Sequence, residues 1–190
     1  MSKTYFSDET FEKLDGTKSS LSKAEYESCT FKNCNFASFN LSDFTFVDCE
    51  FEGCDLSNAK LHNTGMKNVS FSDCKLLGLH FEDCNKFLLE FNFAKCQLDL
   101  SVFYQLDIKK TQFESCSMKD VDFTECNLTE SSFNNCDLTN TVFERTNLEK
   151  ADFSTAYNFD LDPEVNRIKK AKFPSSGLIG LLSKYEIKVF

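Results

Sequence analysis

Large apolar residues recur at every fifth position over most of this chain. From Tyr26 the series runs Phe31, Phe36, Leu41, Phe46, Phe51, Leu56, Leu61, Met66, Phe71, Leu76 and Phe81. It then slips by two residues and resumes as Phe93, Leu98, Phe103, Ile108, Phe113, Met118, Phe123, Leu128, Phe133, Leu138, Phe143, Leu148 and Phe153. A period of five fits neither a helix (3.6) nor a plain strand (2). An internal repeat of this kind sets the whole architecture.

A second selective position lies two residues before each centre. It holds all ten cysteines of the chain, and otherwise mainly Ala, Val, Leu, Phe, Ser or Thr. The residue between the two is mostly polar, so each unit alternates in-out-in like a short extended segment. The next two residues are mostly Ser, Thr, Asn, Asp, Glu, Lys or Gly, which suit a corner. With a right angle at each corner, four sides close a coil of about twenty residues, and successive coils stack through backbone ladders roughly 4.8 Å apart. Residues one coil apart then share a column. Phe31, Phe51 and Phe71 do, and a two-residue bulge within 85–90 carries that column on through Phe93, Phe113, Phe133 and Phe153. The same shift aligns Phe81, Phe103, Phe123 and Phe143, and it makes one file of Cys34, Cys54, Cys74, Cys96, Cys116 and Cys136.

The units CDLSN (54–58), CNFAS (34–38), CNLTE (126–130), CDLTN (136–140) and ADFST (151–155) resemble those of the pentapeptide-repeat family, written A(D/N)Lxx. The resemblance covers about Ala24 to Thr155. It implies an all-β solenoid, a right-handed quadrilateral β-helix. The C-terminal pattern is similar to that of the quinolone-resistance and microcin-immunity members, which end in a short Leu-rich helix and pair head to head there. Some of those dimers mimic duplex DNA and engage type II topoisomerases, chiefly DNA gyrase, with topoisomerase IV as the related target.

The expected organisation is an irregular first coil over 1–23 that covers the open end, a β-helix over 24–157 with the bulge at 85–90, and a helical cap over 158–190. Within 1–23, Phe6, Phe11 and Leu21 keep the phase and Gly16 breaks it. Phe39 and Phe44, aromatics at the small position, require local repacking. The chain makes one domain, with fewer than about seven coils and about 32 Å of rod. After Phe153, Asp162-Pro163 reads as the start of a helix running to about Lys170. Ser175 or Ser176 then caps a second helix, followed by a strand-like EIKVF tail. Leu178, Ile179, Leu181, Leu182 and Tyr185 form its apolar sides, a lid over the last coil and a candidate dimer interface.

The formal net charge is −9. An acidic surface argues against binding nucleic acid and suits a rod that occupies a protein site built for DNA. Asp43, Asp83 and Glu125 fall on one corner, with Asp48, Glu90 and Glu130 on the next. Interspersed lysines leave open an ordinary solvated surface. No apolar run is long enough for a membrane helix and no signal-peptide core is present, which points to the cytoplasm. Inward-facing cysteines outside any C-x-x-C pair read as reduced apolar filler, and a straight file does not offer zinc four ligands around one point. No cofactor and no enzymatic activity are expected. His62 and His80 have no evident partner, and no nucleophile–base arrangement can be placed. The bulge is apolar at Phe87, Leu88 and Leu89, near Leu77, Leu100, Val102 and Tyr104 at outward positions. Either these side chains fold down over one another, or they form the binding patch of a general interaction scaffold.

Overall fold

The computed structural model describes residues 4–16, 18, 21–87 and 89–188. Among the described residues there are eleven short strands: β1 (Tyr5–Ser7), β2 (Thr10–Glu12), β3 (Glu25–Glu27), β4 (Thr30–Lys32), β5 (Thr45–Val47), β6 (Glu50–Glu52), β7 (Gly65–Lys67), β8 (Val69–Ser72), β9 (Phe91–Ala94), β10 (Gln112–Glu114) and β11 (Ser132–Asn134). They form two parallel sheets, ordered β1-β3-β5-β7 and β2-β4-β6-β8-β9-β10-β11. The other two sides are joined by isolated parallel bridges, such as Asn35 to Asp55 and Val102 to Asp122. The result is a four-sided parallel β-solenoid. Partners lie one coil apart, Phe31 opposite Phe51, but Phe71 lies opposite Phe93. The extra residues therefore sit before β9. They end the smaller sheet at β7, while the larger sheet runs past them.

Strands this short follow from the corners. One corner residue in each regular unit takes the left-handed conformation, with φ from 51° to 64° over Ser28–Lys170. Gly53, Gly78 and the many Asn and Asp corners enter this region at little cost. Lys95, Leu100, Gln105, Lys110 and Arg145 also adopt it. For such residues it costs about 1 kcal/mol each, and the packed interior must hold them there.

Two long ladders of rings run through the interior, with a shorter stack of Phe6, Tyr26 and Phe46 toward the N-terminal end. Phe11, Phe31, Phe51, Phe71, Phe93, Phe113, Phe133, Phe153 and Phe173 stack with neighbouring centroids 4.6–5.4 Å apart. Phe81, Phe103, Phe123 and Phe143 form the second ladder at 4.5–5.5 Å. Between the ladders the rings meet edge to face, as in Phe113 with Phe123 at 73°. Each buried ring contributes about 1.5–3 kcal/mol of transfer free energy. Favourable ring geometry adds about 0.5–1.5 kcal/mol per pair.

The small position does more than fill space. The Sγ atoms of Cys34, Cys54, Cys74, Cys96, Cys116 and Cys136 donate to the carbonyl oxygens of Phe11, Phe31, Phe51, Phe71, Phe93 and Phe113 at 3.2–3.7 Å. Thr64, Thr141 and Thr146 donate from the same slot to Leu41, Met118 and Phe123 at 2.6–2.8 Å. Cys, Ser and Thr interchange here because each is small and carries one donor. All ten cysteines are buried free thiols.

At the N-terminal end Tyr5–Ser7 and Thr10–Glu12 already stack in register, β1 and β2 pairing with β3 and β4. Gly16 breaks the phase because a Cβ there would lie 2.7 Å from the Phe39 ring. Phe44 repacks inward, stacked on Phe46 and Tyr26. The repeat also continues past Phe153. Asn166, Ile168, Ala171 and Phe173 lie one coil beyond Thr146, Leu148, Ala151 and Phe153, and Arg167 and Lys172 bridge back to Asn147 and Asp152. No helix forms over 162–170. Asp162 and Pro163 instead belong to an excursion of the chain that begins at Asn158.

The cap is 3₁₀ rather than α-helical, Ser175–Leu181 followed by Ser183–Tyr185. Its two glycines favour a helix poorly. A Cβ at Gly180 would lie 2.1 Å from the Phe159 carbonyl oxygen, so the segment is pressed onto the last coil. Residues 186–188 are not strand, and 189–190 lie outside the described residues.

Candidate interaction surfaces

The corner columns place the acidic candidates. Asp43, Asp83 and Glu125 lie on the column Lys23, Asp43, Asn63, Asp83, Gln105, Glu125, Arg145. Its carboxylates are interleaved with donors. Lys23 Nζ and Asn63 Nδ2 reach Asp43 at 2.6 and 2.8 Å. Gln105 Nε2 and Arg145 Nε reach Glu125 at 2.6 and 3.0 Å. On the neighbouring column Asn68 donates to Asp48 at 2.7 Å and Lys150 pairs with Glu130 at 2.5 Å. The Lys23 ammonium and the Asn63 amide hold the Asp43 carboxyl below the usual range. The Gln105 amide and the Arg145 guanidinium do so for Glu125, and Lys150 for Glu130. Asp83 and Glu90 are exposed and make no ion pair among the described residues.

Those two carboxylates bracket the bulge. Phe87 is 78% exposed there, its N–H donating to Asn85 Oδ1 at 3.0 Å, whereas Leu89 is half-buried against the core. Leu88 lies outside the described residues. On the next coil Leu100 is 62% exposed and Tyr104 39%, with Val102 and Leu77 half-buried. The bulge therefore does not fold all its apolar side chains down. His80, expected to stand alone, has its Nδ1 2.7 Å from Glu82 Oε1. Glu82 Oε2 is buried without a partner among the described residues.

At the C-terminal end Leu178, Ile179, Leu182 and Tyr185 are exposed, joined by Ile187. Leu181 instead turns inward against the core. Polar contacts hold this end. Lys184 Nζ bridges Asp162 at 2.8 Å and Glu164 at 2.6 Å, Tyr185 donates to Glu164 at 2.7 Å, and Ser183 bonds Asp160. Asp162, which the sequence pattern places as a helix cap, instead anchors Lys184. That role is invisible without the excursion that brings it over the cap.

Nothing described gathers reacting groups. No set of three or more His, Cys, Asp or Glu among the described residues is arranged to hold a metal ion. Burial pushes the Cys49 and Cys126 thiols up to about 12, away from the thiolate form that reacts or binds metal. Among the described residues no helix is long and apolar enough to cross a membrane.

The sequence profile described as "Pentapeptide repeat region" matches residues 19–92 and again 80–153. A search of curated proteins finds no sequence match. Among solved structures the chain is similar to a trypsin-treated variant of QnrB1, a plasmid-mediated fluoroquinolone resistance protein. That match has a TM-score of 0.64 at 17% identity, covering 99% of this chain and 98% of that one. A second trypsin-treated variant of the same protein matches with a TM-score of 0.64 at 16% identity, over 100% of both chains.

Proposed function

Since the chain belongs to the pentapeptide-repeat family, we propose that it is a non-enzymatic cytoplasmic protein that stands in for duplex DNA on a type II topoisomerase, DNA gyrase or topoisomerase IV. On this reading it modulates the enzyme or protects it from quinolones or toxins. The observation that carries it is an acidic rod, net charge −9, with one continuous ladder of nine stacked rings. A surface evolved for DNA selects for length and negative charge before detailed contacts. The fold shared with a fluoroquinolone resistance protein over nearly the whole chain is consistent with it. The rod pairs as a homodimer through the exposed apolar residues of its cap, and it binds no nucleic acid itself.

The test is a gyrase supercoiling assay titrated with folded protein, with and without a fluoroquinolone. Inhibition, or relief from the drug, at low micromolar protein is the expected result. Charge reversal of Asp83, Glu125 and Glu130 to Lys then abolishes it while circular dichroism is unchanged. No effect of the native protein on the enzyme or the drug would sink the reading. A second reading, a general scaffold for another protein, is favoured by the exposed Phe87.

A further inference from the structure

We propose that the side of the rod running from Leu100 through Val102 to Tyr104, with Phe87 projecting just past its second corner, is a docking strip for a basic, amphipathic segment of a partner protein. It does not depend on the topoisomerase reading, which uses charge and length; the two surfaces meet at Asp83.

Three observations converge on this edge. The first is exposure against the pattern. Elsewhere in the regular coils corner positions are mostly polar, yet Leu100 occupies one at 62% exposure, Tyr104 lies at the next at 39%, and Phe87 projects from the bulge just past that second corner, one coil earlier, at 78%. The half-buried Leu77 and Val102 extend the apolar surface between them.

The second is backbone strain. Leu100 takes φ 63°, in a column whose preceding corners are Ser38, Asn58 and Gly78. Leucine carries the same cost there as the lysines and glutamine at other corners, but its side chain is apolar and exposed, so it recovers little burial. A position that breaks both the propensity rule and the burial rule is retained for what it presents.

The third is charge, which selects the partner. Asp83 and Glu90 border Phe87 without an ion pair among the described residues, and Lys86 is the one lysine within 78–94. The coil of Leu100 and Tyr104 is balanced, with Lys95, Lys109 and Lys110 against Asp99, Asp107 and Glu114, so the acidic rim lies on the Phe87 side. A strip of large apolar side chains with a carboxylate rim is complementary to a segment with Leu or Phe on one side and Lys or Arg on the other.

The experiment is fluorescence anisotropy with the full chain and a labelled helical peptide built of Leu and Lys, against a Leu/Glu peptide and a Ser/Lys peptide. Binding of the Leu/Lys peptide alone is expected. Phe87→Ser and Tyr104→Ser should each weaken it roughly tenfold. Asp83→Asn with Glu90→Gln should remove its salt dependence. Leu100→Asn supplies the sharper arm: binding falls while the melting temperature rises, since Asn accepts the left-handed corner that Leu resists. A purely structural Leu100 would lower both. Equal affinity across these variants, or equal binding of the Ser/Lys peptide, would overturn the proposal. So would concentration-dependent self-association, measured by light scattering and lost in Phe87→Ser, because the strip would then belong to a second copy of the chain.

Discussion

Each residue is read in this fold by its place within five. Phe113 is fully buried between Phe93 and Phe133, and Glu114 beside it is exposed. Phe113→Ala should cost about 3–5 kcal/mol and Glu114→Ala little, and equal thermal shifts would invalidate the inward and outward assignment. At the small position the sequence shows size but not the hydrogen bond. Cysteine passes for an apolar filler until its carbonyl acceptor, one coil away, is in place. Thr146→Val keeps the shape and removes one of two donors to the Phe123 carbonyl, which retains the Cys126 N–H at 3.0 Å. Only the net worth of one hydrogen bond is at stake, so it should cost about 1 kcal/mol in chemical denaturation. Asp152 carries the clearest pH signature. The Lys172 ammonium at 2.7 Å, helped by Ser154, lowers its carboxyl to about 2. A depressed carboxyl stabilises the fold above its unfolded value, near 4, and this stabilisation is lost as pH falls toward 2. Carboxyl NMR titration should return Asp152 toward the ordinary range in Lys172→Met.

Elements here are single sides and corners, and irregular ones carry most of the individuality. The sheet β1-β3-β5-β7 stops where two extra residues enter, while its neighbour continues. Removing two residues from 85–90 should restore an even twenty-residue step without loss of the native circular dichroism spectrum, because both flanking coils are already in register. A collapse of the fold on that deletion would mean the bulge holds the coils apart for a structural reason. The cap depends on a glycine. Gly180→Ala puts a methyl group into the Phe159 carbonyl and should release the 3₁₀ segment, exposing its amides to hydrogen exchange while Phe31–Phe133 stay protected. The last coil was legible in principle: Asn166-x-Ile168 and Ala171-x-Phe173 keep the phase. Asn158 at a centre and the excursion through Pro163 hid it.

For the whole molecule, stacking converts a local five-residue rule into a rod whose two ends and four edges differ. The N-terminal end retains a recess of about 170 Å³ lined by Phe6, Phe11, Leu14 and Leu21. The C-terminal end presents the exposed side chains of its cap instead. Leu178→Glu with Ile179→Glu should yield a monomer in light scattering with unchanged melting of the coils. Leu181 is unsuited to that test, since its half-buried side chain would also unseat the cap. A wild type that is already monomeric would remove the dimer from the proposed function.

The sequence alone determined the coil, its twenty-residue step, the ring ladders and the inward thiols. Those depend only on period and side-chain size, and each unit repeats the same local solution. Tertiary structure decided the rest, because it depends on neighbours one coil away. The corner carboxylates are interleaved with cations and amides that lie twenty residues distant in the chain. Phe87 stays out in solvent while Leu89 turns in. The cap lies flush on the last coil because position 180 holds a glycine, where the Phe159 carbonyl leaves no room for a Cβ.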